Sequence, residues 1–257
     1  MRFGFCNISH VPVRKTHTSK SEMVTQLLFG DTFEILDTYK TWLLIRNYFD
    51  NYEGWIDDKQ LLEIGKESYE KINSDGNETI TNLISYITDT ETNLEIPIVR
   101  GSCIPKQNQD NIFEIEKTKF LFQYHKNKIQ PLSITSFAKL YLNSPYLWGG
   151  KSPFGIDCSG FTQVVYRYFG INLLRDTNQQ AEQGRDVSFI SEAQPHDLAF
   201  FENDEGSIIH VGIILADNKI IHASGKVRID TIDHNGIFNS ESGSYSHKLK
   251  LIKKVNF

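Results

Sequence analysis

The sequence predicts an α+β chain, with small β-rich modules in its first half and a cysteine-bearing helix followed by long apolar strands in its second. Three patterns carry this. From Phe161 the apolar residues fall at Phe161, Val164, Val165, Tyr168 and Phe169, the stripe of an amphipathic helix. Ile208–Leu215 reads as a buried strand and Lys219–Ala223 as its hairpin partner across Ala216-Asp217-Asn218. Four short strand-like runs, Met23–Phe29, Thr32–Asp37, Trp42–Asn47 and Gly54–Ile56, are separated by Gly30-Asp31, Tyr39-Lys40 and Phe49-Asp50-Asn51, the pattern of a small barrel.

The helix is the most informative element. Asp157 is placed to cap its start and Gly170 to end it. Cys158 then sits in the first turn, where unpaired N–H groups and the helix dipole favour a thiolate. For an isolated cysteine, a small packed hydrophobe is the commoner reading. Two histidines on the downstream hairpin change the weighing. With the hairpin centred on Asp217, His222 faces residue 212 and His210 faces residue 224, so both imidazoles share one face as diagonal neighbours roughly 7–8 Å apart. A two-residue Asp217-Asn218 turn puts them on opposite faces instead. A catalytic role requires the longer loop.

Thiol hydrolysis needs a nucleophile, an imidazole to hold and return its proton, and a polar group that fixes the imidazole tautomer. Cys158, His210 and His222 supply these in chain order, and the Cys158 N–H is an available oxyanion donor. A thiol that alkylates faster than free cysteine is the expected signature of an ionised Cys158.

The 257 residues exceed one average domain. A net charge of -5 without a long basic run argues against nucleic acid and against electrostatic adhesion to anionic wall polymers. No apolar run approaches the roughly 18 residues of a membrane span. The start, Met1–His10, lacks the apolar core of a signal peptide, which points to the cytoplasm unless a leader has been removed. Cys6, Cys103 and Cys158 are widely spaced, so neither a zinc motif nor a disulfide framework is expected; Cys6 and Cys103 read as inert core thiols. His10, His17, His125, His234 and His247 show no ligand spacing and receive no role.

Lys66–Lys71 is charged, Asn73–Asn77 is a turn cluster, and strand-like Leu94–Val99, Ile112–Ile115 and Lys119–Phe122 follow, with Lys106–Asn111 as a polar hairpin tip. A second, diverged barrel is the expectation here, against the rival of a long linker with a few strands. Gln130 to Asn143 offers a short helix with Ile134, Phe137, Ala138 and Tyr141 on one face. The boundaries are therefore 1–65, 66–127 and 128–257.

Tyr146-x-Trp148-Gly149-Gly150, Asp157-Cys158-Ser159-Gly160-Phe161, His210-Val211-Gly212 and His222-Ala223 together resemble the NlpC-type, papain-like cysteine peptidases that cleave bacterial peptidoglycan peptides. The resemblance covers roughly Ile134 to Val255. Gln194–Phe201 fits as well, except that His196 stands where the family usually has Gly; histidine is among the residues that tolerate positive φ. His196 is read as a non-catalytic histidine near the site. Ser21–Asp31 with Tyr52–Ile56 resembles a bacterial SH3-like domain, whose Trp42 and Trp55 are core or groove aromatics, with core favoured.

SH3-like domains ahead of an NlpC-type domain are similar to the γ-D-glutamyl-L-diamino-acid endopeptidases of cell-wall peptide recycling. That resemblance implies a murein peptide substrate, L-Ala-γ-D-Glu-diamino acid, with a free N-terminal amine. It places Asp176 on the substrate ammonium with Glu22 and Tyr52 from the first domain, Asp157 and Ser159 on the peptide backbone, and Tyr146 and Trp148 along the pocket. Thr177 stands where related enzymes often have Ser. Asp176 reads equally well as a helix cap, and Glu22 with Tyr52 as a solvated surface pair. No metal or other cofactor is implied, and a monomer is expected. The alternatives are a secreted hydrolase of intact peptidoglycan anchored by its SH3-like domains, a non-catalytic wall-peptide-binding protein, and an acyltransferase on the same fold. Nothing in the sequence decides between lysine and diaminopimelate.

Overall fold

The computed structural model describes residues 1–123 and 132–255, so the boundary at 127/128 and His125 lie outside the described residues. The chain divides into two compact units, Met1–Ile129 with Trp148–Pro153, and Gln130–Leu147 with Phe154–Phe257.

In the N-terminal unit, β1 (Arg2–Phe5), β2 (His10–Arg14), β3 (Met23–Leu28), β4 (Thr32–Tyr39), β5 (Trp42–Asn47), β6 (Glu53–Asp57) and β7 (Leu62–Ile64) form one sheet in the order β3-β2-β6-β5-β4-β1-β7. All four strands expected from the sequence are present within a few residues of their predicted ends. One face buries Val11, Val13, Leu27, Phe33, Ile45 and Ile56. Trp42 and Trp55 are half-buried and lie outside that cluster, contrary to the preference for core.

The charged stretch after β7 is α1 (Lys66–Ser74), which the sequence reading missed because only two of its residues are apolar anchors. Tyr69 and Ile72, three apart, are buried, and the Tyr69 ring stacks on Phe3 at 4.3 Å. β8 (Asn77–Thr79), β9 (Ile84–Asp89), β10 (Glu95–Val99), β11 (Cys103–Pro105), β12 (Ile112–Ile115) and β13 (Thr118–Phe122) follow. They make a four-stranded sheet, β10-β9-β13-β12, and a separate β11-β8 pair. Lys106–Asn111 is thus a crossover between sheets and not a hairpin tip, because β11 takes β8 as its partner. Phe3, Phe5 and Phe29 share one buried cluster with Ile87, Ile98, Phe113 and Phe120, so the two sheets have a common core. Cys6 and Cys103 are buried and free.

The second unit opens with α2 (Ile134–Lys139), capped by Ser133, whose side chain accepts from the Ser136 N–H. Of the two-residue strands, β14 (Lys151–Ser152) belongs to the N-terminal unit, where the Lys151 N–H donates to Gln26 Oε1 at 2.8 Å, and β15 (Gly155–Ile156) belongs to the second. α3 (Cys158–Tyr168) and α4 (Thr177–Gln180) precede β16 (Arg185–Val187), β17 (Leu198–Glu202), β18 (Ile208–Leu215), β19 (Lys219–Ser224), β20 (Lys226–Asp233), β21 (Gly236–Asn239) and β22 (Ser244–Lys254). The order is β16-β22-β17-β18-β19-β20-β21, and β22 also pairs with β21, so the sheet curls back on itself. α3 packs on β18 and β19, and Phe137 of α2 stacks on Tyr168 at 4.3 Å. Among the described residues no helix is long and apolar enough to cross a membrane.

Candidate active site

The turn that presents Cys158 is held from below. Asp157 caps α3, its Oδ1 accepting from the Gly160 N–H at 2.7 Å. Arg175 lies wholly inside the fold and forks onto the same carboxylate, at 3.1 Å to Oδ1 and 2.6 Å to Oδ2, while its Nη1 also donates to Ser159 Oγ at 2.8 Å. Both side chains flanking the nucleophile are therefore engaged with a buried guanidinium. Such a pair fixes geometry better than an apolar turn, at a cost in desolvation. Gln180 of α4 completes the frame, bonding to Thr162 Oγ1 at 2.7 Å and to the Ser159 carbonyl at 3.0 Å.

The sulfur lies between α4 and β18. Thr177 Oγ1 is 3.8 Å from Cys158 Sγ, and a backbone hydrogen bond reaches the sulfur from Val211, the residue after His210. The hairpin has the longer loop: Gly212 pairs with His222 and Leu215 with Lys219, and Asp217 and Asn218 both take positive φ. His210 Nε2 and His222 Nδ1 are 2.9 Å apart in consequence. The chain continues beyond the expected residues. His222 Nε2 meets Asp230 Oδ2 at 2.9 Å, and Arg228 donates to both oxygens of Asp230, at 2.6 and 3.0 Å. His247, which had no assigned role, stacks on His210 with ring centroids 4.1 Å apart. The donor nitrogens of His210, His222 and His247 lie within 4.8 Å of one another, the one group of metal-ligand character among the described residues.

The electrostatics correct one expectation. Burial, and next the Asp157 charge, push the Cys158 thiol up to about 11, outweighing Thr177, Val211 and Arg175. Burial holds His210 well below the ordinary imidazole range, with His222 and His247 acting in the same sense. Both shifts favour a neutral thiol and a neutral imidazole over the preformed thiolate expected at a helix start. The start of α3 does not offset the loss of water around the sulfur.

The remaining nominated residues divide between the units. Tyr146 is half-buried in the second, its hydroxyl pushed up to about 12 by burial and then by Cys158 and Asp157. Asp176 is the N-cap of α4 in a capping box with Gln179, whose Oε1 accepts from the Asp176 N–H at 3.1 Å. Glu22, Tyr52 and Trp148 lie in the N-terminal unit. There the exposed Trp148 donates its indole N–H to Glu22 Oε1 at 2.8 Å, joining two nominated residues 126 positions apart. Gly149, with φ +76, lets this segment approach Met23, whose carbonyl oxygen would be 2.3 Å from a Cβ. His196 adopts φ +84 and bonds Thr135 Oγ1 at 3.1 Å, apart from the histidine cluster.

A cysteine at a helix start, packed against a sheet that carries its imidazole, defines the papain-like thiol hydrolases. Residues 143–242 match the NlpC/P60 family and residues 13–61 the bacterial dipeptidyl-peptidase Sh3 domain. The chain thus carries an NlpC/P60 domain, of the cysteine peptidase kind, with a bacterial dipeptidyl-peptidase SH3 domain ahead of it. It is 28% identical over 255 residues to the gamma-D-glutamyl-L-lysine dipeptidyl-peptidase of Bacillus cereus, covering 88% of this chain and 76% of that one. The Bacillus subtilis protein of the same name is 27% identical over 217 residues, covering 77% and 71%. An NlpC/P60 family protein from Bacillus cereus superposes over 98% of this chain and 99% of its own at TM-score 0.82 and 20% identity. An NlpC/P60 endopeptidase from Photobacterium damselae subsp. piscicida does so over 97% and 70% at TM-score 0.71 and 18% identity.

Proposed function

We propose that the protein hydrolyses the γ-D-glutamyl–L-diamino acid bond of murein peptides that carry a free N-terminal L-Ala, in the recycling of cell-wall peptides. The observation that carries this is Cys158 against Val211 of β18, next to a His210 paired with His222, in a chain that also carries an SH3 domain of the dipeptidyl-peptidase type. The names of the two Bacillus relatives make lysine the first diamino acid to test.

Cys158 is the nucleophile, His210 its base and acid, and His222 the group that orients His210. His210 Nε2 is engaged with His222, which leaves Nδ1 for the thiol proton. Because both groups rest neutral, the proton moves to His210 as the sulfur attacks the γ-carbonyl. The Cys158 N–H is the oxyanion donor of this scheme. The leaving amine takes the proton from His210, and water, activated by the same imidazole, releases L-Ala-γ-D-Glu from the thioester.

Asp176, with Glu22 and Tyr52, selects the ammonium in this reading, and Tyr146, Trp148 and Thr177 line the substrate. Support for Tyr146 and Thr177 is their closeness to the sulfur; support for the others is the family resemblance. Asp157 and Ser159 act through Arg175, their side chains being committed to it, and offer the substrate their main chain. The sheet of residues 84–122 is the second, diverged SH3-like module, and the peptidase domain starts near 128. The protein acts as a cytoplasmic monomer.

The test is mass spectrometry of products from L-Ala-γ-D-Glu-L-Lys, its N-acetylated form, and whole sacculi. Release of L-Ala-γ-D-Glu from the free tripeptide alone is expected. Equal rates with the acetylated peptide overturn the ammonium selection, and release from sacculi favours a wall hydrolase.

A further inference from the structure

We propose that Asp230 is a positioning residue that sets the proton register of the catalytic pair, deciding which nitrogen of His210 is basic. The inference rests on Cys158, His210 and His222 acting as described above.

The argument starts from a buried carboxylate. Arg228 donates to both oxygens of Asp230, at 2.6 Å from Nε and 3.0 Å from Nη2, so Asp230 is an ionised acceptor with no proton to give. The group facing its Oδ2 at 2.9 Å is His222 Nε2, which must therefore carry a hydrogen. A second hydrogen, on His222 Nδ1, would make that ring donate to His210 Nε2 and leave the hydrogen of His210 on Nδ1, so the catalytic scheme above requires His222 to carry one hydrogen only, on Nε2. A neutral imidazole with its hydrogen on Nε2 has a lone pair on Nδ1. That lone pair faces His210 Nε2 at 2.9 Å, so His210 Nε2 is the donor there. His210, also neutral, is left with its lone pair on Nδ1, where the Cys158 proton is to be received. Each step follows from the one before, and the carboxylate is the only fixed term. The reverse register would aim a His222 lone pair at a carboxylate oxygen and place a hydrogen on His210 Nδ1, blocking general-base catalysis.

The depressed Asp230, held down to about 2 by His222 and Arg228 in spite of its burial, is in keeping with this geometry. The placement also follows from the ladder. His222 pairs with Arg228 across β19–β20, which puts Asp230 two residues on, on the same face.

The experiment has two parts. In the wild-type protein with 15N-labelled histidine, two-bond 15N–1H correlation spectra at pH 7 are expected to show His222 and His210 both protonated on Nε2 and bare on Nδ1. A hydrogen on Nδ1 of either ring, or a doubly protonated His222, overturns the proposal, and this part needs no variant to fold. In the second part, Asp230→Ala is expected to give mixed tautomers at both rings and to lower kcat between about tenfold and a hundredfold with KM little changed. Unchanged kcat in a folded Asp230→Ala protein whose tautomers have shifted contradicts it. His210→Ala is the control: if that variant keeps full turnover, the underlying catalytic assignment fails, whereas a dead His210→Ala beside a fully active Asp230→Ala sinks only the role of Asp230.

Discussion

Gly212 stands directly opposite His222 in the β18–β19 ladder, and a Cβ on Gly212 would lie 2.9 Å from the Cβ of His222. Real side chains do not approach so closely. The missing Cβ leaves that space clear beside His222, whose ring meets His210, two residues away from the glycine on the same strand. Gly212→Ala is therefore expected to push the two imidazoles apart, lowering kcat/KM at least about tenfold while the protein stays folded. Steady-state kinetics alongside circular dichroism checks this; wild-type turnover in a folded variant contradicts it.

Arg175 and Asp157 form an ion pair whose side chains are 2% and 6% exposed. Removing the guanidinium takes two hydrogen bonds and the balancing charge from a buried carboxylate beside the nucleophile. Arg175→Met is expected to cost about 3–5 kcal/mol of stability, read from urea unfolding. A loss below about 1 kcal/mol would show that the pair is not as enclosed as its geometry indicates.

The Cys158 thiol, raised to about 11, bears on its reactivity. Only the thiolate alkylates, so the rate with iodoacetamide is expected to rise about tenfold per pH unit from pH 6 to 9, without a plateau, and to lie at or below that of free cysteine at pH 7. A plateau near neutrality would reveal a preformed ion pair.

Stability should depend on acid in two stages. His247 is depressed to about 4 and His210 lies well below its ordinary value, so the unfolded chain binds protons first as pH falls. The contribution of His247 is whole above the unfolded value near 6.5 and is lost from there down through about 4, and that of His210 is likewise lost as pH falls below 6.5. Asp230, depressed to about 2, has its contribution intact above the unfolded value near 3.8 and loses it as pH falls toward 2. Thermal midpoints between pH 8 and 3 test this. A midpoint that holds steady from pH 6.5 to 4.5 contradicts the buried neutral histidines.

Much of the site could be read from residue order because it depends on local rules. Asp157 caps α3 as its place before an amphipathic stripe requires, and the His210–His222 pairing follows from counting back from Asp217. Thr177 was nominated by resemblance and lies against the sulfur. The supporting residues were not legible for a physical reason: Arg175, Gln180 and His247 reach the site through tertiary packing that no short spacing encodes. Asp230 is an intermediate case. A hairpin centred on Gly225 pairs His222 with Arg228 and brings Asp230 to the same face, so the counting used for the first hairpin would have found it. The ionised thiol is the hardest feature to read, since a helix start argues for charge while the depth of burial, invisible in sequence, argues against it. In the N-terminal half, alternating strands declared themselves. α1 did not, since its two anchors sit in a run of charges, and β11 escaped because its partner lies 24 residues upstream.

The most direct measurement is the rate at which Cys158→Ala and His210→Ala release L-Ala-γ-D-Glu from the free-amine tripeptide, each compared with the wild-type protein. Both variants are expected to fold and to lose at least about 10^4-fold in kcat. Appreciable turnover by a folded Cys158→Ala protein would mean that the sulfur at the start of α3 is not the nucleophile.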